Sequence, residues 1–422
     1  MKKLIFPLIC ALALFACSPD KTDDTPEANL SIENLPDDNP LIYASGGEAV
    51  VKIECDSEWQ VDIVESDASQ WLTITPKIST DHNGSVTLKT APNTTNSDRT
   101  ATIKITAGDK EKELKIKQLQ NPFTRREVNS RDAYTSLTIH HNGSVSNVTK
   151  LITLLPVPES NIYQDITKWK AIKGNIGTAN DNQTCYIGSV FTTSTIPASG
   201  SDVLRQEYHI TNYAVSTNFD AITTIIQPDT DSDIYKEYVL KDDQINDRNN
   251  ATIKANADRM WNESGKNIID YARACYLWVA NTMKYLNPNT GLHPVAEILA
   301  NGGGDCGNQA TVFISLLRNK EIPARHVVLV RTDGSFHVRA EFYMAGYGWI
   351  PVDVNAKNMI PSGDFFGRNE DSAEVVMNRN LTYQINIDNQ KLPLVMLQNY
   401  AWWYWISSGK TSFSLSYETR EK

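Results

Sequence analysis

The 422-residue chain lacks the marks of several large functional classes. There is no basic excess, since 40 Lys and Arg stand against 50 Asp and Glu for a formal charge of −10. Without a cationic footprint there is little to neutralise a phosphate backbone, so a nucleic-acid partner is not expected. Beyond the first residues no apolar run approaches the ~20 residues that a membrane-spanning helix needs. Cysteine is scarce, six in all, and no spacing matches a zinc site or a disulfide framework. No D-x-[DN]-x-[DN]-G loop occurs, so calcium independence is expected, with no metal and no cofactor. What is present is 41% hydrophobic content, enough for real cores, in a chain with room for several domains.

The N-terminus points to export. Met1-Lys2-Lys3 is a positive start, Leu4 to Phe15 is an apolar run too short to span a bilayer, and Leu14-Phe15-Ala16-Cys17 fits a lipoprotein signal-peptidase site. The expectation is that residues 1–16 are removed, Cys10 among them, and that Cys17 becomes a lipidated N-terminus holding the protein to a membrane through acyl chains alone. A plain secretory signal cut nearby is the alternative. Residues 17–29 form an acidic linker with Asp20, Asp23, Asp24 and Glu27, and Ser18 lacks the Asp linked with inner-membrane retention. The expected address is therefore the cell envelope, on the outer membrane, facing periplasm or surface. Cys55, Cys185, Cys275 and Cys306 remain, and the pairing of the first three is open.

From about Leu30 to Gln120 short alternating runs recur: Ala49–Ile53, Trp59–Ile63, Trp71–Ile74, Ser85–Lys89, Thr100–Ile105 and Leu114–Lys117. Period-two alternation broken by Gly, Asn, Asp and Pro predicts an all-β, Ig-like antiparallel sandwich over 30–120. Residues 121–250 are again β-patterned, with strands expected at Tyr134–His140, Val148–Leu155, Thr184–Thr192, Gln206–Tyr213, Ala221–Ile226 and Tyr235–Leu240. His140 and His141 are adjacent on such a strand and point to opposite faces, which argues against a shared metal site. Asp242 to Ser264 reads as a polar helical link.

Residues 251–422 read as an α+β region with three chemically distinctive residues. Cys306 follows Gly302-Gly303-Gly304-Asp305 and opens the apolar run Ala310, Val312, Phe313, Leu316, Leu317, which places it at a helix N-terminus. There the macrodipole and free N–H groups favour a thiolate and can meet an oxyanion. The helix is expected over Cys306 to Asn319, with Ile322-Pro323 breaking it beyond, and strands are expected at Val327–Arg331, His337–Met344 and Trp349–Val354, the last two joined by a turn at Ala345-Gly346-Tyr347-Gly348. His337 and Asp353 are equidistant from that turn and become cross-strand neighbours, so the carboxylate can fix the imidazole tautomer. A helix is expected from Asn267 to Tyr285, with Ala272, Cys275, Tyr276 and Val279 on its buried stripe. Trp349 and His293 are the candidate substrate contacts, each with a packing or loop role as the alternative. Trp402-Trp403-Tyr404-Trp405 is read as sheet packing, with a groove wall as the alternative.

The run Gly304-Asp305-Cys306-Gly307-Asn308-Gln309-Ala310, with Ile322-Pro323-Ala324-Arg325, His337 and Gly348-Trp349-Ile350-Pro351-Val352-Asp353, resembles the bacterial transglutaminase-like superfamily. That resemblance implies a papain-like cysteine-protease fold, with Cys306 as nucleophile, His337 as base and Asp353 as orienter. One departure is Val338-Arg339, where the family often has Ala-Trp after the histidine. Leu154 to Pro158, Asn161 to Asp165 and Tyr208-His209-Ile210 resemble the supporting β-domain that commonly precedes such cores. Gly46-Gly47, Cys55 to Trp59, Trp71 to Pro76, Asn93 to Asn96, Asp98 to Ala101 and Ile116 to Gln118 resemble a BACON-type domain, for which carbohydrate contact is often proposed. In this copy Trp59 and Trp71 read as core anchors as readily as sugar platforms, and a spacer role is favoured over glycan binding.

Together these features predict an exported lipoprotein that attacks an amide or peptide bond of a protein or peptide substrate through a thioester. Hydrolysis is favoured; protein cross-linking by the same residues is one alternative and a non-enzymatic glycan- or protein-binding module another.

Overall fold

The computed structural model describes residues 30–33, 41–142, 145–241, 245–286 and 291–422. Cys17, the signal segment and the acidic linker lie outside them. The chain divides into two units: one gathers residues up to Pro122 with Phe219–Ile226 and Met344–Gly348, and the other holds the remainder.

In the first unit the predicted alternation produces a two-sheet sandwich. One sheet runs Leu30–Glu33, Gly47–Cys55, Asn83–Thr90, Leu72–Thr75; the other runs Leu41–Ile42, Lys110–Gln118, Arg99–Ala107, Trp59–Ile63, Ile78–Ser79. Register puts Val51 opposite Val86, and Ile103 opposite Leu114, so each strand turns one apolar set inward. Those side chains and Trp59 form a single core, from which Trp59 exposes only 2% of its surface. Trp71 packs against the same core with the Arg99 guanidinium 4.4 Å above its ring. Neither ring is an open platform.

The second unit has two parts. Phe123–His141 and Ser201–Thr217 are long antiparallel partners in a sheet ordered Gln164–Lys173, Ser201–Thr217, Phe123–His141, Phe413–Glu421. A second sheet, Asn175–Thr178, Cys185–Thr192, Val148–Pro156, Ala401–Ile406, shares with it a core that includes Leu137, Ile139, Leu151, Leu155 and Leu204. The last strands of the chain, expected to continue the C-terminal α+β region, thus pair with the middle β region instead. The aromatic run serves that packing: Trp402 faces this core, while Trp403 and Trp405 face a second cluster around Tyr383 and Ile385.

The other part places Cys306–Asn319, Ala251–Glu263 and Ile268–Thr282 as helices beside a sheet ordered Gly348–Val352, Phe336–Met344, Ala324–Arg331, Glu374–Asn378. The Cys306 helix is buried from Gly307 through Arg318, the pattern of a central helix rather than an amphipathic surface one. Each fully buried Phe or Leu on it contributes about 1.5–3 kcal/mol, so the helix is firmly anchored.

Four expectations are corrected. Tyr235–Leu240 is helical, because Ser232 caps the turn through the Tyr235 N–H and the buried Tyr235, Tyr238 and Val239 recur at helical spacing. Ala221–Ile226 forms no strand; Phe219–Ala221 is a single 3-10 turn. The expected link does hold a helix, Ala251–Glu263, but a packed one rather than a merely polar one, burying Ile253, Ala257 and Met260 at i, i+4 and i+7; residues 242–244 lie outside the described set. The helix from Asn267 ends at Thr282, because the Lys284 N–H leaves the helical pattern to bond Gly302 O at 2.9 Å.

Candidate active site

Cys306 stands at the first position of its helix, after Asp305 as N-cap. The turn before it depends on its glycines. Gly302 ends the preceding helix Val295–Asn301 in the left-handed region at φ 69°. A Cβ on Gly303 would overlap the Lys284 carbonyl, so only glycine lets Lys284–Tyr285 run parallel and close to Gly303–Gly304. The Asp305 carboxylate takes the N–H of Gly307 and that of Asn308, the latter at 3.0 Å. Among the first-turn donors this leaves the Cys306 N–H free to meet an oxyanion. Burial raises the Asp305 carboxyl above its ordinary range, against the pull of those N–H groups and of His293.

His337 lies on Phe336–Met344, 7% exposed. Its Nε2–H donates to Asp353 Oδ2 at 2.6 Å, and the Cys306 thiol is near enough to favour the protonated ring. Asp353 divides its two oxygens. Oδ2 holds the imidazole, and Oδ1 accepts the Ala356 N–H at 2.8 Å as N-cap of the helix Val354–Met359. The strand expected to reach Val354 therefore stops at Val352, because Asp353 begins a helix. His337 and Asp353 meet, with the carboxylate fixed by its capping bond rather than by a strand.

Burial alone would depress the His337 pKa, yet the Asp353 charge and hydrogen bond, with those of Cys306, lift it to about 10. Burial likewise acts to raise Asp353, but the His337 charge and hydrogen bond, the Ala356 N–H and the Arg339 charge hold it below the ordinary carboxylate range. The ring is thus an imidazolium at neutral pH between two partners that stabilise its charge.

Arg339, at the departure from the family pattern, is buried two positions along the same strand. It forms a two-pronged ion pair with the fully buried Glu374, which Asn369 also contacts at 2.8 Å, and its guanidinium lies 4.2 Å over the Tyr163 ring. Tyr163 in turn donates to Glu341 at 2.6 Å, and Glu341 pairs with Arg325 at 2.9 Å. Gln398 Nε2 reaches the His337 carbonyl at 3.0 Å and that of Leu329 at 2.9 Å. These supports are long-range and left no local signal. Asn308, which binds Asp305, Gly291 O and the His293 N–H, was given no role from the sequence, although its place inside the cysteine motif was the signal that could have found it.

Trp349 goes elsewhere. Its ring lies 3.6 Å under the Arg325 guanidinium, with Tyr238 and Tyr343 beside it, and its place four residues before Asp353 sets it about 13 Å away along the strand. His293 pairs with Glu297 at 3.0 Å and lines a cavity of about 270 Å³ with Leu286, Gly303, Gly304 and Asn308, next to the cysteine turn. His140 and His141 bind separate partners, Ser416 and Pro197 O. Cys55, Cys185, Cys275 and Cys306 are all free thiols, and burial pushes the Cys275 thiol well up. Among the described residues no group of His, Cys, Asp and Glu is arranged to hold a metal, and no helix is long and apolar enough to cross a membrane.

The chain is β-rich, with a helical part that sets Cys306 at a helix start and a strand that sets His337 against Asp353. Residues 254–354 match the family model of the transglutaminase-like superfamily, and residues 52–119 match BACON, described as "Putative binding domain, N-terminal". The chain carries a transglutaminase-like core and a BACON domain. A curated relative from Haemophilus influenzae, described only as an uncharacterized protein, is 30% identical; the match covers 21% of this chain and 31% of that one. Among solved structures, a "Putative Cysteine Protease" from Cytophaga hutchinsonii is 15% identical over 71% of this chain and 93% of its own, at a TM-score of 0.46. A "putative protease" from Parabacteroides distasonis is 9% identical over 75% and 68%, at 0.23. Likenesses this loose speak to neither activity nor substrate.

Proposed function

We propose that this protein is a thiol hydrolase that cleaves an amide or peptide bond through a thioester on Cys306. The observation that carries it is the His337 ring held at 2.6 Å from Asp353 and favoured in its protonated form by the neighbouring Cys306 thiol. With the proton resting on His337, the sulfur attacks the substrate carbonyl, forming a C–S bond as the carbonyl electrons move onto oxygen. The Cys306 N–H donates to that oxyanion. Collapse breaks the C–N bond, and the His337 proton leaves with the amine. Water then attacks the thioester, giving its proton to the now neutral His337, and the sulfur departs with the carboxylic acid released. Asp353 orients the ring throughout and stabilises its charge.

An amine in place of water would give cross-linking by the same steps, and hydrolysis is the favoured outcome because water is always at hand. The substrate class proposed is protein or peptide outside the cytoplasm, reached by an enzyme anchored to the envelope through lipidated Cys17. The Lys2-Lys3, Leu4–Phe15 and Ala16-Cys17 pattern supports the anchor.

The test is full-length protein against a digest-derived peptide library read by mass spectrometry, with and without an added primary amine. Cleavage should disappear in Cys306→Ala, by about 10⁴-fold or more, and products should carry free carboxylates. Undiminished cleavage in Cys306→Ala would rule the mechanism out, and amine-bearing products would move the assignment to transamidation.

A further inference from the structure

The outer face of the long middle sheet carries a chain of hydrogen bonds that strand pairing alone does not require. Phe123–His141 and Ser201–Thr217 run antiparallel, with Asp132 opposite His209 and Ser130 opposite Thr211. Arg131, Ala133, Tyr208 and Ile210 turn inward and are buried, so the alternate residues Ser130, Asp132, His209 and Thr211 share the other face. Ser130 and Asp132 stand two positions apart, about 7 Å along the strand. The His209 ring bridges them: Nδ1 lies 2.7 Å from Asp132 Oδ1, and Nε2 lies 3.0 Å from Ser130 Oγ. Thr211 Oγ1 is 2.9 Å from the same Ser130 oxygen.

The roles along this chain are fixed from one end. An ionised Asp132 only accepts, so His209 Nδ1 carries a hydrogen and donates it. Nε2 of the neutral ring is then the acceptor, and the Ser130 hydroxyl is the donor that meets it. The Thr211 hydroxyl donates in turn to Ser130 Oγ. Asp132 is held below the ordinary carboxylate range, above all by the His209 hydrogen bond, with the charges of His209, Lys168 and Lys422 acting the same way against desolvation. A hydroxyl, an imidazole set to take its proton and a carboxylate that fixes the tautomer are the parts of an activated serine.

The same sheet holds an internal control. His140 Nε2 lies 2.7 Å from Ser416 Oγ, on the paired strands Phe123–His141 and Phe413–Glu421. Among the described residues that ring has no carboxylate partner, so nothing there selects its tautomer. Ser130 differs from Cys306 as well. It lies within a strand and not at a helix start, and so has no fan of free helix N–H groups to hold an oxyanion. That restricts it to esters, whose leaving oxygen departs more readily than an amine.

We propose that Ser130, His209 and Asp132 form a second acyl-transfer site, which hydrolyses carboxylic esters presented to the open face of the sheet. Ser130 Oγ attacks the ester carbonyl, forming a C–O bond as its proton passes to His209 Nε2. Collapse breaks the bond to the leaving oxygen, which departs with that proton. Water then attacks the acyl-serine, giving a proton to His209, and the Ser130 oxygen takes that proton back as the carboxylic acid is released. Asp132 positions the ring and touches no substrate. The site is independent of the thiol chemistry proposed above.

The experiment incubates the full chain carrying Cys306→Ala, which removes the thiol, with p-nitrophenyl acetate. Nitrophenolate release is followed, and acetylation of Ser130 and Ser416 is mapped by mass spectrometry. Ser130 should be acetylated about tenfold faster than Ser416, the effect of one charge-assisted hydrogen bond on the ring. Asp132→Asn should bring Ser130 down to the Ser416 rate, and His209→Gln should slow it about 100-fold while Ser416 stays within about twofold. Repeated nitrophenolate release should fall by about tenfold or more in Ser130→Ala. Equal acetylation of the two serines, or undiminished acetylation of Ser130 in Asp132→Asn, would overturn the proposal. A parallel loss at both serines would make the trio a support of the sheet and overturn it too. An acetyl group that stays on Ser130 would overturn the assignment as an ester hydrolase.

Discussion

The N-terminal sandwich and the transglutaminase-like core are both built on alternating strands, yet they bury different things. Between residues 41 and 122 the buried polar side chains are only Thr90, Asn93 and Gln118, all uncharged. The core that carries Cys306 buries Arg325, His326, His337, Arg339, Glu341 and Glu374. Taking an ion out of water costs several kcal/mol, so such a set persists only where each member has a matched partner. The sandwich is a hydrophobic solution to folding. The core instead spends hydrophobic stability on a charged framework around one histidine, and Arg339, Glu374, Tyr163, Glu341 and Arg325 form a continuous part of it.

The sharpest way to break this comparison is to remove one partner. Arg339→Met leaves Glu374 buried without its counter-ion and should destabilise the core by about 3–5 kcal/mol in urea unfolding. Arg339→Met with Glu374→Leu should recover most of that loss, because both desolvation costs disappear together. A single variant within about 1 kcal/mol of wild type would mean that the buried pair is not a structural constraint.

A second test uses pH. The His337 pKa rises from 6.5 to about 10 on folding, so the stability it contributes is fully present below about pH 6.5 and is lost as pH climbs through 10. Asp353 is lowered from 3.8, so its contribution is present above that value and is lost as pH falls through the folded one. Core stability should therefore be greatest between about pH 4 and 6.5 and fall on the alkaline side, a slope that Asp353→Asn should flatten. Hydrogen exchange in Arg99–Ala107, within a sandwich core lacking charged side chains, should show less pH dependence after correction for intrinsic rates. Equal slopes in the two regions would erase the contrast.

The smallest effect is expected from a purely apolar change. Ile103→Val in the sandwich should cost about 0.5–1.5 kcal/mol, seen as faster exchange along Arg99–Ala107 and without any shift in the alkaline limb of the core.

Much of this was legible in the chain. Strict alternation marked the sandwich strands because one face of each meets a core and the other meets water, and Cys306 to Asn319 was readable as a helix to its end residues. The less legible places share one cause. Met283 to Tyr285 looks like more helix by composition, but the Gly303 backbone offers a partner that sequence neighbours cannot. Val354 continues a β-branched pattern, but the Asp353 carboxylate caps the next turn. Tyr235 to Leu240 alternates loosely, yet its buried residues repeat at helical spacing once Ser232 starts the turn.

By itself the sequence determined which residues have the chemistry: a thiol behind three glycines, an imidazole and a carboxylate equidistant from one turn, and the family pattern joining them. Tertiary structure decided how that chemistry is held. It assigned one Asp353 oxygen to His337 and the other to a helix cap, joined Arg339 to Glu374, and set Tyr285 beside Gly304. It also returned the last two strands to the middle sheets. The reason is that periodicity reports only which face of an element is buried, whereas partners distant along the chain are chosen by packing and by the requirement that every buried charge be answered.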